Sequence, residues 1–390
     1  MKKHILLSIP AILVLVFFVV SCKKKDTTTE ISANQPLTDQ LDKWGDSLIN
    51  KVVIDSVKLG AQGAMIYVYN PSNNFEYVRA FGTSDITTAR FLPLKTTDLF
   101  RIGTITNTFT ATVILQLAQD GALSLEDSLG KFFPGVPNAV NITIREMLNM
   151  TSGLYDFMDS DSIHRILSEH PLRVLTPVQL VNFGTAYPSY FQPGGGVHYS
   201  STNSVLLGMI IEQVTGSSLS EAYRNHILEP LSLSNTTFPI NQFMPFYAPY
   251  SHGYEYADSV HTLYDVTERY DPSWSWASAN LVSSLPELQT WLSALVKGTL
   301  LSPDMQQGRM FMVDWENVHG IPLQYGLGIM GASGYFGHIG ENKGYHSICM
   351  YSPSSGNIII VMVNNGSCIP LLMFAEIANL LTPGLIPFTP

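Results

Sequence analysis

Hydrophobic and polar positions change period several times along the chain, and each change marks an element. Leu37, Leu41, Trp44, Leu48 and Val52 recur at helical steps, which predicts an amphipathic first helix over Pro36 to Val57. Ala64-Met-Ile-Tyr-Val-Tyr69 and Glu76-Tyr-Val-Arg-Ala-Phe81 read as antiparallel strands joined by an Asn-Pro-Ser-Asn-Asn turn. The stretch from Phe100 to Leu117 is ambiguous. Thr104, Thr106, Thr108, Thr110 and Thr112 alternate like a strand, while Ile105, Phe109, Val113 and Leu117 repeat every fourth residue like one face of a helix. Gly121 supplies a stop after Gln119-Asp120, so a helix is predicted.

From Leu123 to about residue 270 the pattern is mainly helical and broken by Pro- and Gly-rich loops. Pro286 to Val296 predicts a helix returning to the first core, Tyr345 to Tyr351 with Asn357 to Val363 a terminal hairpin, and Leu371 to Leu381 a last helix beside the first. Strands and helices at both ends with a helical insert predict an α+β fold. One lobe is expected from residues 37–120 and 275–390, a helical lobe from 121–274, and a ligand cleft between them.

Composition narrows the function. The formal charge of −10, and −12 once Lys2 and Lys3 are removed with the first 21 residues, makes a poor surface for nucleic acid. Met1-Lys-Lys-His followed by the apolar run Ile5 to Val20 reads as a secretory signal. Val19-Val-Ser-Cys22 resembles the lipobox of bacterial lipoproteins, whose Cys is acylated; residues 1–22 are thus expected to be a signal and 23–36 a solvated tether. An uncleaved anchor is the alternative, and either way the body is exported and membrane-tethered. Cys349 and Cys368 are read as free thiols rather than a disulfide.

Phe100-Arg-Ile-Gly-Thr-Ile-Thr-Asn-Thr-Phe-Thr-Ala111 resembles the Phe-Arg-Ile-Gly-Ser-x-x-Lys-x-Phe-x-Ala opening of the core helix in the serine β-lactamase, D,D-peptidase and esterase family. Further stretches follow in family order: Ile142 to Leu154, with Met150 in place of a His; Phe191 to Gly208; Tyr325-Gly-Leu-Gly328; and Gly337-His-Ile-Gly340. In that family the Ser attacks a carbonyl and the Lys, three residues on and one helical turn away, takes its proton. The resemblance implies the β-lactamase/transpeptidase-like fold, an antiparallel sheet flanked by helices. It assigns Thr104 to the nucleophile position and Asn107 to that of the Lys. Tyr199 becomes the proton-relaying phenol, and His338 a contact to substrate carboxylate or the Tyr oxygen. Ser201 and Gly340 become binding positions, and the backbone NH groups of Thr104 and Glu341 the oxyanion hole.

The departures from the pattern set the expected activity. Thr adds a methyl in a cramped first turn, and Asn can neither accept a proton near neutral pH nor lend positive charge to Tyr199. Ser201 replaces a substrate-holding Asn, and Asn203 is expected to face elsewhere. The expected protein is therefore a lipid-tethered, catalytically silent family member, a monomer without cofactor, whose cleft binds a peptidoglycan-like peptide or an acyl compound. The rivals are an active hydrolase of an ester, amide or β-lactam using Thr104 with Tyr199, and an envelope protein-interaction module.

Other patterns are read as incidental. Ser128-Leu-Gly-Lys131 matches Ser-x-x-Lys by chance, and Asp156, Asp159 and Asp161 lack the Gly and distal Glu of a calcium loop. No His spacing suits zinc. Trp274 and Trp276 read as core aromatics with a stacking platform as the alternative, and Lys343 as an exposed turn cation.

Overall fold

The computed structural model describes residues 34–50, 52–53, 58–86, 92–245, 247–257 and 262–387, so the signal, the lipobox cysteine and most of the expected tether lie outside the described residues. The frame is a nine-stranded antiparallel sheet. Its strands are β1 (Gly63–Asn70), β2 (Phe75–Asp85), β3 (Leu92–Pro93), β4 (Val313–Val318), β5 (Ile321–Tyr325), β6 (Met330–Ala332), β7 (Tyr335–Asn342), β8 (Tyr345–Tyr351) and β9 (Ile358–Val363). They lie in the order β4-β5-β6-β7-β8-β9-β1-β2-β3, so the two chain ends meet where β9 pairs with β1, Ile360 opposite Tyr67.

All six residues of β9 are buried because helices cover both faces of the sheet. On one face Ile66, Val68, Ile348 and Val361 pack with Leu41 of α1 (Gln35–Asn50) and with Phe374 and Ile377 of α5 (Pro370–Leu381). The Trp44 indole donates to the Glu376 carboxylate, joining the first and last helices as the sequence implied. On the other face Met65, Tyr67, Cys349 and Ile360 meet α2 (Thr106–Gln119) and α4 (Leu285–Lys297).

The threonine-rich stretch is helical because its hydroxyls find partners a turn back. Thr108 donates to the Ile105 carbonyl at 2.7 Å and Thr112 to that of Thr108 at 2.6 Å, which removes the polar cost of burying them. Trp291 of α4 clamps α2 by donating to Thr108 Oγ1 at 2.8 Å and stacking on Phe109 with ring centroids 4.0 Å apart. Between the sheet halves lies the helical region, whose longest helix is α3 (Ser201–Thr215), packed against α2.

Two expectations need correction, and one stretch has no element assigned from its sequence pattern. The first helix stops at Asn50, and the β-branched pair Val52–Val53 instead forms a short strand with Lys58–Leu59. The region read as helical up to residue 270 ends in a hairpin of Tyr254–Ala257 with Thr262–Asp265. Residues 313–342 fold as four strands that periodicity did not separate. Cys349 and Cys368 are both buried and are not joined in a disulfide.

Trp291→Ala should lower stability by about 3–5 kcal/mol, as is usual for truncating a buried aromatic, and also leave Thr108 without its indole donor. Urea denaturation measures this, and a loss under about 1 kcal/mol would show that Trp291 does not hold α2.

Candidate functional site

The site begins where the chain entering α2 touches β7. Gly103, with φ +56°, opens a tight turn over Gly103–Ile105, and a Cβ on it would fall 2.5 Å from backbone atoms of Glu341. A Cβ on Gly340 would fall 2.3 Å from the Ile102 carbonyl. Both glycines are therefore required by a backbone-to-backbone approach that no side chain permits. Thr106 locks the turn, donating to the Gly103 carbonyl at 2.7 Å and accepting from the Leu281 amide at 3.1 Å.

Thr104 is thereby placed against β7. Its hydroxyl donates to the Ile339 carbonyl at 2.9 Å and accepts from the Glu341 amide at 3.2 Å. The hydroxyl thus occupies one of the two NH groups that the family resemblance assigned to an oxyanion, and its proton is committed to a carbonyl that cannot act as a base.

One turn on, Asn107 is 3 % exposed and its Nδ2 donates to the Tyr199 oxygen at 2.6 Å. Residues 92 positions apart are joined as the motif order implied, but the pairing is amide to phenol. Burial is the chief cause that raises the Tyr199 pKa, with the nearby Asp156 carboxylate adding to it and bonds from Asn107 and Ser201 opposing it. Tyr199 is therefore a protonated phenol at neutral pH.

Ser201, the first residue of α3, is 4 % exposed, and its hydroxyl donates to Asp156 Oδ2 at 3.3 Å. Asp156 Oδ1 accepts from the Met158 amide at 3.0 Å. Burial pushes the Asp156 pKa up to about 6 despite these bonds. Asn203 faces away as expected, fully buried and accepting from Ser152 at 2.7 Å, while its Nδ2 meets the sulfur of Met150 at 3.3 Å.

His338 is the misplaced expectation. It is 3 % exposed, and its Nε2 bonds to the Tyr325 hydroxyl at 2.8 Å, while the Tyr325 ring stands edge-on to Tyr199 with centroids 6.5 Å apart. Tyr325 is thus interposed, and His338 reaches neither the phenol nor the cleft. Burial lowers its pKa to about 4, so it is a neutral structural imidazole. The linear motif placed the histidine on the right strand without revealing the aromatic in front of it.

The cleft has a volume of about 370 Å³ and is lined by Thr104, Tyr199 and Ser201 with the carboxylates Asp156, Glu255 and Glu341. Lys343 also lines it but lies 3.9 Å from Glu255, which occupies its charge. Trp274 is both core and wall, 6 % exposed and facing the cleft. Sequence reasoning missed Asp156 and Glu255 as site residues. Asp156 lies two residues beyond the Thr-Ser-Gly-Leu154 stretch, a signal that could have found it. Lys131 of the chance Ser-x-x-Lys match pairs with Asp127 at 2.7 Å, away from the cleft. Asp159 accepts from the Tyr190 hydroxyl at 2.8 Å, and among the described residues no group of three or more His, Cys, Asp or Glu is arranged to hold a metal ion.

A hydroxyl on the turn that leads into the core helix, at a cleft between sheet and helices, with a phenol reaching in from the helical lobe, defines the serine β-lactamase/transpeptidase class of fold. The chain belongs to the Beta-lactamase family, whose family model matches residues 49–369. Penicillin-binding protein 4* of Bacillus subtilis (strain 168) is 33 % identical over 181 residues, 46 % of this chain and 39 % of that protein. Protein flp of Staphylococcus aureus (strain MW2) is 27 % identical over 292 residues, 71 % of this chain and 55 % of that protein. The chain thus spans less than two thirds of the length of these relatives. Among solved structures, a D-stereospecific amidohydrolase from Streptomyces sp. superimposes with TM-score 0.74 at 28 % identity, covering 87 % of this chain and 98 % of that one. A D-amino acid amidase from Ochrobactrum anthropi SV3 shares the fold with TM-score 0.72 at 24 % identity, covering 86 % of this chain and 97 % of that one.

The raised Asp156 pKa carries a sign. The folded state holds the proton more tightly than the unfolded chain, so this group's contribution to stability falls as pH rises from about 4 to 6 and is flat above. Asp156→Asn should remove that slope, changing the wild-type-minus-variant stability difference by on the order of 2–3 kcal/mol across the window. Denaturation curves at pH 4.5 and 7.5 read it, and parallel profiles for the two proteins would contradict the assignment.

Proposed function

We propose that this protein is a β-lactamase-family member in which Thr104 has ceased to act as an acyl-accepting nucleophile, and whose cleft binds a peptidoglycan-like peptide or a related acyl compound. The observation that carries the reading is the Thr104 hydroxyl seated on the Glu341 amide and the Ile339 carbonyl. Asn107 reinforces it, because an amide bonded to a phenol supplies neither base nor positive charge. Losing a general base typically costs about 10²- to 10⁴-fold in rate, and the occupied oxyanion donor adds to that. Support for a ligand comes from the cleft, which has a volume of about 370 Å³ and is lined by the Tyr199 phenol. The names of the relatives, penicillin-binding proteins and D-amino acid amidohydrolases, point to D-configured peptides or amides as its ligand class. In this reading the body is exported and held at the envelope through lipid on Cys22, a part that rests on the sequence pattern of residues 1–22.

Two experiments test the proposal. Restoring Thr104→Ser with Asn107→Lys should create measurable hydrolysis of nitrocefin or a D-amino acid nitroanilide where the parent shows none. A penicillin adduct mapped to Thr104 in the parent protein would overturn the reading. For the tether, a clickable palmitate fed to expressing bacteria should label the wild-type protein and not Cys22→Ser, and an unlabelled wild type would remove the lipid anchor.

A further inference from the structure

The position inherited from the family is disarmed, yet the same cleft contains a second hydroxyl that is better supplied. Ser201 lies on the cleft wall, and its Oγ donates to a carboxylate oxygen of Asp156 at 3.3 Å. A hydroxyl bonded to a carboxylate has a base already aligned with its proton, which is what Thr104, bonded to a backbone carbonyl, lacks. Ser201 also opens α3, a helix of 15 residues, so the partial positive charge of a helix N-terminus lies beside any oxyanion formed on an acyl group attached there.

We propose that Ser201, with Asp156 as its general base, is an alternative acyl-accepting nucleophile of this protein, reactive toward small activated esters. The inference rests on the reading that the cleft admits acyl compounds, and it assigns to Ser201 the reaction that Thr104 has lost.

The steps balance without a further reagent. The Ser201 oxygen bonds to the acyl carbon while its proton passes to the Asp156 carboxylate, and collapse of the tetrahedral adduct breaks the bond from the acyl carbon to the leaving group, which departs with the electron pair and takes the proton from Asp156 or, as nitrophenolate, leaves Asp156 to release it to solvent. Water then attacks the Ser201 ester, Asp156 receives its proton, and the acid product leaves as Ser201 recovers its hydrogen. Ser201 is only 4 % exposed, which restricts the donor to a small acyl group. The ionised carboxylate is the active form of the base. With the Asp156 pKa pushed up to about 6, acylation should rise as pH increases through that value and level off above it.

The test is acetylation of the full chain by p-nitrophenyl acetate, with nitrophenolate release, intact mass and peptide mapping as readouts. The expected result is one dominant acetyl group on Ser201 in the wild-type protein, absent in Ser201→Ala, retained in Thr104→Ala, and formed about 100-fold more slowly in Asp156→Asn. The wild-type map decides the question without requiring any variant to fold. Acetylation of surface lysines alone, or of Ser201 at a rate indifferent to Asp156→Asn and to pH between 5 and 7, overturns the Ser201–Asp156 assignment and leaves the reading of Thr104 standing. An acetyl group on Thr104 overturns both.

Discussion

The close approach of the turn at Gly103–Ile105 to strand β7 is the constraint on which the remainder depends. Two glycines, 103 and 340, make it sterically allowed, and a Cβ on either would collide with backbone of the other segment. Two hydrogen bonds then cross the gap, one donated by the Thr104 hydroxyl to the Ile339 carbonyl and one accepted from the Glu341 amide. This contact fixes the start of α2 relative to the sheet. Everything that α2 carries, from Asn107 at its first turn to the threonines buried along it, is positioned by that approach.

The same contact sets the polar partners available on this side of the cleft. A hydroxyl that bridges β7 is removed from any base and fills the donor meant for a developing negative charge. Asn107 completes the change by bonding to Tyr199, so helix and phenol are held together by a neutral pair. Thr104 and Asn107 thus act as a structural joint between α2, β7 and Tyr199. Across the cleft the electrostatics run the other way: Asp156 is buried, reluctantly charged and in contact with a serine hydroxyl. The start of α3 therefore carries a hydroxyl–carboxylate pair facing the amide–phenol pair of α2.

Much of this was legible in the sequence. The four-residue recurrence of Ile105, Phe109, Val113 and Leu117 identified α2 against the β-branched threonines, whose hydroxyls turn out to bond back to their own helix. The order of the family-like stretches joined Asn107 to Tyr199 across the fold, and Asn203 turned away as its spacing implied. What was not legible is three-dimensional interposition. His338 sits on the expected strand but behind Tyr325, and no linear pattern states which of two aromatic groups stands in front. Asp156 escaped because its significance comes from burial and from a partner 45 residues away. The end of α1 escaped because helical periodicity continued through Val52, where β-branched residues found a strand partner.

The side-chain rotamer of Thr104 in a high-resolution crystal structure bears most directly on the central claim. The account expects Oγ1 on the Ile339 carbonyl and the Glu341 amide, with Asn107 donating to Tyr199. A Thr104 hydroxyl turned toward Asn107 or Tyr199, leaving the Glu341 amide free for an oxyanion, would contradict it.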